Sequence, residues 1–185
     1  MVKRDLIRNI IIAVLAIVVI LLLRSFVFST HRVAENQANN YIHAGDYVTF
    51  NKNVEPKKKD FILYTVNGKE YIGRVIADEG KSVTAMDDFL YVNDKSVDEA
   101  YISKGKSAYL ATVSPGNFFT DDFSIATLTD NKQTKIEKGQ YLVLNDNRRN
   151  TDDSRKFGLI DKDQIKGVIS FRLYPLSRFG FVDVD

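Results

Sequence analysis

From Ile10 to Leu23 the chain runs through fourteen apolar residues without a break, IIIAVLAIVVILLL, and Phe26, Val27 and Phe28 extend that character past Arg24. As a helix rising 1.5 Å per residue, the stretch Ile10 to Phe28 spans about 28 Å, close to the thickness of a hydrocarbon core. It is apolar on every side, which a core helix of a water-soluble domain is not. Lys3, Arg4 and Arg8 precede it, so the positive-inside rule puts the N-terminus in the cytoplasm and the remainder outside. Arg24 stands near the outer end, where its stem can snorkel to the interface. The expectation is a single-pass cell-membrane anchor over residues 1–29 with an exported domain over 30–185. A cleavable leader cut near Val27-Phe28-Ser29 is the competing reading, and Arg24 and the bulky residues around the cut argue against it.

Beyond the anchor, composition excludes several classes of chemistry. Four of the 26 basic and one of the 24 acidic residues lie in the first 29, which leaves 22 against 23 for the exported part. Such a neutral surface predicts no nucleic-acid partner. The chain has no cysteine, which removes thiolate nucleophiles and Cys-ligated metals. Its two histidines, His31 and His43, have no HExxH spacing and read as surface residues. No metal and no cofactor is expected.

The exported part reads as mainly β. Runs at Tyr47 to Phe50, Phe61 to Val66, Tyr71 to Ala77, Phe89 to Val92, Tyr141 to Leu144 and Val168 to Tyr174 alternate with turn signals. Asn67-Gly68 between two of them predicts a type I′ hairpin, because both residues tolerate positive φ. Residues 94–138 are richer in Ser, Thr, Lys and Asp, with a turn at Pro115-Gly116, and are expected to form an inserted cap subdomain. Pro56 to Lys59 reads as a solvated basic turn.

The most specific string follows Leu144: Asn145-Asp146-Asn147-Arg148-Arg149-Asn150-Thr151-Asp152-Asp153-Ser154-Arg155-Lys156-Phe157-Gly158. By composition it is a polar loop, without the alternating oxygen ligands of a calcium site. It resembles the GDNRxxSxDSRxFG box of type I signal peptidases, membrane-anchored serine proteases that remove leaders from exported proteins. Asn145 and Thr151 depart from that box, while Asp146, Asn147, Arg148, Asp153, Ser154, Arg155, Phe157 and Gly158 match it. Gly45 to Val48, Asp60 to Tyr64 and Tyr71 to Ala77 resemble further boxes in the family's order. The resemblance therefore covers nearly the whole chain and implies a signal peptidase-like β domain, with Asp146, Asn147, Arg148, Thr151, Asp153, Ser154 and Arg155 as a supporting box.

What the resemblance implies for chemistry departs from the family. The family's serine lies in SMxPTLxxGD, where this chain has Asn36 or Gln37, depending on a one-residue gap. Its general-base lysine lies in Y(I/V)KR(V/I)IG, where this chain has Gly73. An amide and a bare backbone cannot exchange a proton as hydroxyl and amine do. Lys69 stands about 13 Å along the strand and Arg74 stays protonated on the other face. No catalytic residue is assigned. The expectation is a pseudoenzyme that binds exported proteins in a groove near Glu35, Ile72 and Gly73, resembling non-catalytic Gram-positive relatives that act as chaperones in pilus assembly, with pilin clients. Two alternatives stay open: an active signal peptidase with an unrecognised dyad, with a hydroxyl supplied by the cap, and a surface scaffold that never uses the groove. The client and the oligomeric state are not legible.

Overall fold

The structure is a computed structural model that describes residues 2–182. One helix, α1 (Val2–Phe26), precedes twelve strands: β1 (Phe28–Arg32), β2 (Tyr47–Asn51), β3 (Phe61–Val66), β4 (Lys69–Ala77), β5 (Val83–Met86), β6 (Phe89–Val92), β7 (Lys95–Val97), β8 (Phe123–Ser124), β9 (Gln140–Leu144), β10 (Ile160–Asp161), β11 (Ile165–Tyr174) and β12 (Gly180–Phe181). Three short helices interrupt them: α2 (Ser103–Leu110), α3 (Ile125–Leu128) and α4 (Ser154–Phe157). The segment Arg4–Leu22 of α1 is long and apolar enough to cross a bilayer and packs none of its surface inside the domain. The side chain of Arg24, expected to snorkel, lies outside the described residues.

The large sheet runs β1-β2-β11-β3-β4-β9-β10 with β12 against β11, and every pairing in it is antiparallel. At its centre Phe61, Ile62, Leu63 and Tyr64 are all buried. The sheet is covered on both faces there, which is why β3 reads as an apolar run and not as an alternation. Phe61 and Leu63 join Val48, Phe50, Ile72 and Ile169 on one face, while Ile62 and Tyr64 join Val75, Val143 and Val168 on the other. Asn67 and Gly68 close the β3–β4 hairpin with φ of 50° and 75°, as a type I′ turn requires.

A second sheet, β7-β6-β5-β8, carries α2 and packs its own core of Val83, Ala85, Leu90, Ile102 and Phe119 against Ile76 and Leu142 of the large sheet. It begins at Val83, so the smaller sheet draws on residues upstream of the compositional shift at 94. His31 is a correction to the sequence reading: its side chain is only 14% exposed and is held on both ring nitrogens, so it is no surface residue.

Candidate functional site

Asp146, Arg148, Asp153 and Ser154 of the Asn145 to Gly158 string are buried, and the string is built around them as a scaffold. Asp146 receives Arg74 in a two-pronged bond, Nε to Oδ1 at 2.7 Å and the second guanidinium nitrogen to Oδ2 at 2.8 Å. The Arg74 guanidinium carbon also stands 4.2 Å from the ring centre of Phe61 and 4.3 Å from that of Tyr101. Planar stacking and a matched carboxylate make burial of a full charge tolerable here.

Asp153 anchors the rest. It accepts the Asn145 N–H at 2.8 Å and the Arg155 Nε–H at 2.9 Å, and Arg155 in turn donates to the carbonyls of Arg148 and Asn150. Ser154 turns its Oγ to the Val143 N–H at 3.0 Å, so its hydroxyl acts as a strut within the core. Arg148 is buried against Glu99 of the second sheet's flank, and the Tyr101 hydroxyl donates to the same carboxylate at 2.6 Å. Burial opposes the Arg148 charge, but Glu99, Tyr101 and Asp146 together more than offset it and leave the guanidinium harder to deprotonate than usual. Burial also pushes the Tyr101 phenol well up, with Glu99 adding to the shift. Thr151 and Asn147 stay exposed at the rim; the Thr151 carbonyl accepts the Asp153 N–H at 2.8 Å.

This scaffold sets one wall of a narrow slot. Gln37, at the end of a 3-10 turn over Glu35–Gln37, forms the opposite wall, and Ile72, Gly73, Asn145 and Asn150 contribute to the lining. The slot holds about 10 Å³, room for about one water molecule. The structure thus brings Gln37, Ile72 and Gly73 together. Glu35 and Asn36 remain exposed outside the slot, and the Asn36 carbonyl accepts from Asn150 Nδ2 at 3.4 Å. Backbone alternation completes the picture. The Glu70 carbonyl faces Gln37, and β9 pairs with β4 only from Arg74 onward, so the peptide groups of Ile72 lie on an edge that β9 leaves open.

The amide of Gln37 is oriented by its partners: Oε1 accepts the Ala34 N–H at 2.9 Å, and Nε2 donates to the Glu70 carbonyl at 2.8 Å. His31 Nε2 lies 2.8 Å from the same Oε1 and therefore donates to it. The other ring nitrogen of His31 stands 3.4 Å from Glu70 Oε2. Lys166 Nζ donates to Glu70 Oε1 at 2.6 Å, and that bond, partly opposed by burial, lowers the Glu70 carboxyl below its ordinary range. Sequence reasoning missed His31 and Glu70, since only the fold brings the His31 side chain of β1 to Gln37 and to Glu70 of β4.

Beside the slot opens a cavity of about 400 Å³ that shares Ala38, Asn39, Asp146 and Asn147 with it and extends to Tyr109 and Phe119 of the second lobe. The second lobe contributes none of the slot's lining residues. Ser103 and Lys106 border a different cavity, and Lys106 is engaged by Asp88, donating to its carbonyl at 2.8 Å. A hydroxyl supplied to the slot from the cap is therefore not part of this arrangement.

The family model for signal peptidase, peptidase S26, matches residues 6–174. The chain belongs to the signal peptidase S26 family. It is 33% identical to Signal peptidase IB of Staphylococcus aureus, across 97% of this chain and 95% of that one. It is 34% identical to Signal peptidase I of Bacillus caldolyticus, with 90% of each covered. A crystal structure of a signal peptidase I from Enterococcus faecalis V583 superposes with a TM-score of 0.56 at 34% identity, over 62% of this chain and 97% of that one.

These relatives confirm the mainly β signal peptidase fold and correct the functional expectation. The residues at 36, 37 and 73 predict a non-catalytic protein, and the resemblance to non-catalytic relatives implies a chaperone of pilus assembly. The relatives are named as signal peptidases over more than nine tenths of the chain, which points to an enzyme.

Proposed function

We propose that the protein is a membrane-anchored signal peptidase, an endopeptidase acting on the leader segments of exported proteins, with the N-terminus cytoplasmic and the β domain outside. Similarity to named signal peptidases along almost the entire chain is the observation that carries this reading. The site offers an extended peptide what it needs: an open backbone edge at Ile72 and a neighbouring cavity large enough for a side chain. In this reading Gln37 and Gly73 are taken as the nucleophile and base positions, a choice of Gln37 over Asn36 supported by its place among the residues that line the slot.

Neither an amide nor a glycine can supply the hydroxyl and amine of a Ser/Lys pair, so hydrolysis must use other groups. In the arrangement described, His31 Nε2 carries its proton toward Gln37 and is not placed to accept another. The test is direct. Full-length protein made by cell-free synthesis in a membrane-free extract, to exclude a host signal peptidase, is placed in lipid nanodiscs and mixed with an exported precursor. A single cut at the leader boundary, read by mass spectrometry, is expected. An uncut precursor at equimolar protein overturns the proposal.

A further inference from the structure

Past Gly73 the cleft changes. From Arg74 onward β9 occupies the edge of β4, so a peptide paired with Ile72 must turn away there. Beside it opens the cavity of about 400 Å³, which shares Asn39, Asp146 and Asn147 with the slot. Which half of a client arrives there follows from the anchor. Only Val27 separates α1 from β1, and His31 of β1 stands 3.4 Å from Glu70 of β4, so the edge before Gly73 is the anchor's side of the cleft. An apolar leader held in the bilayer lies along that edge. The residues after the cut then pass to the cavity, toward Tyr109 of α2 and Phe119.

The cavity is lined with donors. Asn39 Oδ1 accepts the N–H groups of Tyr41 and Ile42 at 2.8 and 2.9 Å, which turns its Nδ2 away from them. Asn147 Oδ1 accepts the Arg149 N–H at 3.2 Å, with the same consequence. Asn40 brings its Nδ2 beside Gly105 of α2. At the rim the Arg149 guanidinium stands 5.2 Å from the Tyr109 ring centre. Among the described residues it donates through Nη1 alone, to Asp121 at 2.9 Å and to the Phe118 carbonyl at 3.4 Å, so Nε and Nη2 are left for another acceptor. The carboxylate in the lining, Asp146, has both oxygens on Arg74 and adds little negative field.

We infer that this cavity is a subsite for an acidic side chain, glutamate or aspartate, among the first three residues after the cut. Three extended residues reach about 10 Å past the slot, and amide and guanidinium donors suit a carboxylate. The direction of the client rests on the peptidase reading, to which the subsite adds a preference among clients.

Binding, not turnover, is the readout. Fluorescent peptides spanning the leader boundary of an exported precursor carry a reduced, uncleavable bond at the cut, and Glu, Gln or Lys at the first, second or third position after it. Full-length protein in lipid nanodiscs is titrated against each, with empty nanodiscs as the blank. At one of the three positions Glu is expected to bind about tenfold more tightly than Lys and about threefold more tightly than Gln. Arg149→Met, which removes the guanidinium, and Gly105→Leu, which fills the cavity, should each bring the ratio of Glu to Lys close to unity. A Cβ on Gly105 meets Phe119 and Asn40 at 3.6 and 3.7 Å, ordinary contact, and leucine suits a helix better than glycine. Equal affinity for Glu and Lys at all three positions in the parent, or a Glu preference untouched in both variants, overturns the inference. A Glu preference beside an uncut natural precursor would instead overturn the peptidase reading and leave the subsite standing.

Discussion

A Cβ built on Gly73 falls 2.5 Å from the Cγ1 methyl of Val143, closer than packed carbons approach. Alternation along β4 sends residue 73 to the same face as Val75, and Val143 of β9 fills the space a longer side chain would take. Val143 is fully buried and β-branched, so it yields only by leaving its rotamer. Gly73→Ala is expected to lower stability by about 1–3 kcal/mol, as overpacking does. Adding Val143→Ala should not restore it in full, because the smaller residue leaves space of its own. Urea titration of the two variants checks both statements.

The same contact governs any attempt to build a Ser/Lys pair into the slot. Q37S with G73K should fold poorly and gain no turnover, since a lysine stem at 73 meets Val143 before its amine reaches the slot. The triple variant that adds V143A relieves the clash and is expected to exceed the double variant in precursor cleavage. Equal cleavage by the two, measured on the same precursor, would show that Val143 moves aside freely.

Arg74 and Asp146 form the least replaceable pair of the scaffold, both almost wholly buried. Asp146→Ala would strand the guanidinium without its carboxylate, and the expected loss is about 3–5 kcal/mol. Replacing both, as Arg74→Met with Asp146→Leu, should lose less than Asp146→Ala alone, because no uncompensated charge remains. A double-mutant cycle by denaturant unfolding measures the difference.

Much of this fold is readable before any coordinates. Six strands, β2, β3, β4, β6, β9 and β11, and the Asn67-Gly68 turn follow from residue pattern, because side-chain period and positive φ are local properties; β1 and β5 do not stand out in the sequence. Strands such as β8 and β10 have two residues each and no pattern of their own; they exist because a neighbour offers them a ladder. The site divides in the same way. Gly73 and the Asn145 to Gly158 string stand out as sequence, but the slot also depends on His31, 42 residues before Gly73, meeting Gln37 and Glu70 across strands. Two substituted positions also pointed away from an enzyme, although the rest of the chain matches enzymes closely.

Tyr64 offers a test of how the large sheet treats polar groups. Its hydroxyl is buried with no hydrogen-bond partner among the described residues, and its ring edge lies 3.4 Å from the same Gly73 Cβ position. Burial, reinforced by Asp153, pushes the phenol far up, so it stays neutral throughout the working pH range. An unpaired buried hydroxyl subtracts from stability, so Tyr64→Phe should leave stability unchanged or raise it by up to about 1 kcal/mol. A clear drop in thermal midpoint would mean that the hydroxyl has a partner after all.

Glu70 joins the strand edge at the slot to β11 through Lys166, and its carboxyl is lowered first by that bond. A carboxyl depressed in the folded state contributes stability that is complete above its unfolded value of about 4.3 and disappears as pH falls through the lower folded value. Acid below that range should therefore loosen the contacts of Glu70 with Lys166 and His31. Lys166→Met removes the largest cause, so the Glu70 carboxyl should titrate at higher pH than in the parent, and the acid-linked loss of stability that Glu70 contributes should shrink, because the folded value moves towards the unfolded one. Because Glu70 is partly solvent-exposed, the change in overall stability should be small and should shrink further in high salt. Carboxyl-carbon NMR titration of the parent and Lys166→Met reads the shift directly, and an unchanged Glu70 curve would remove Lys166 as its cause.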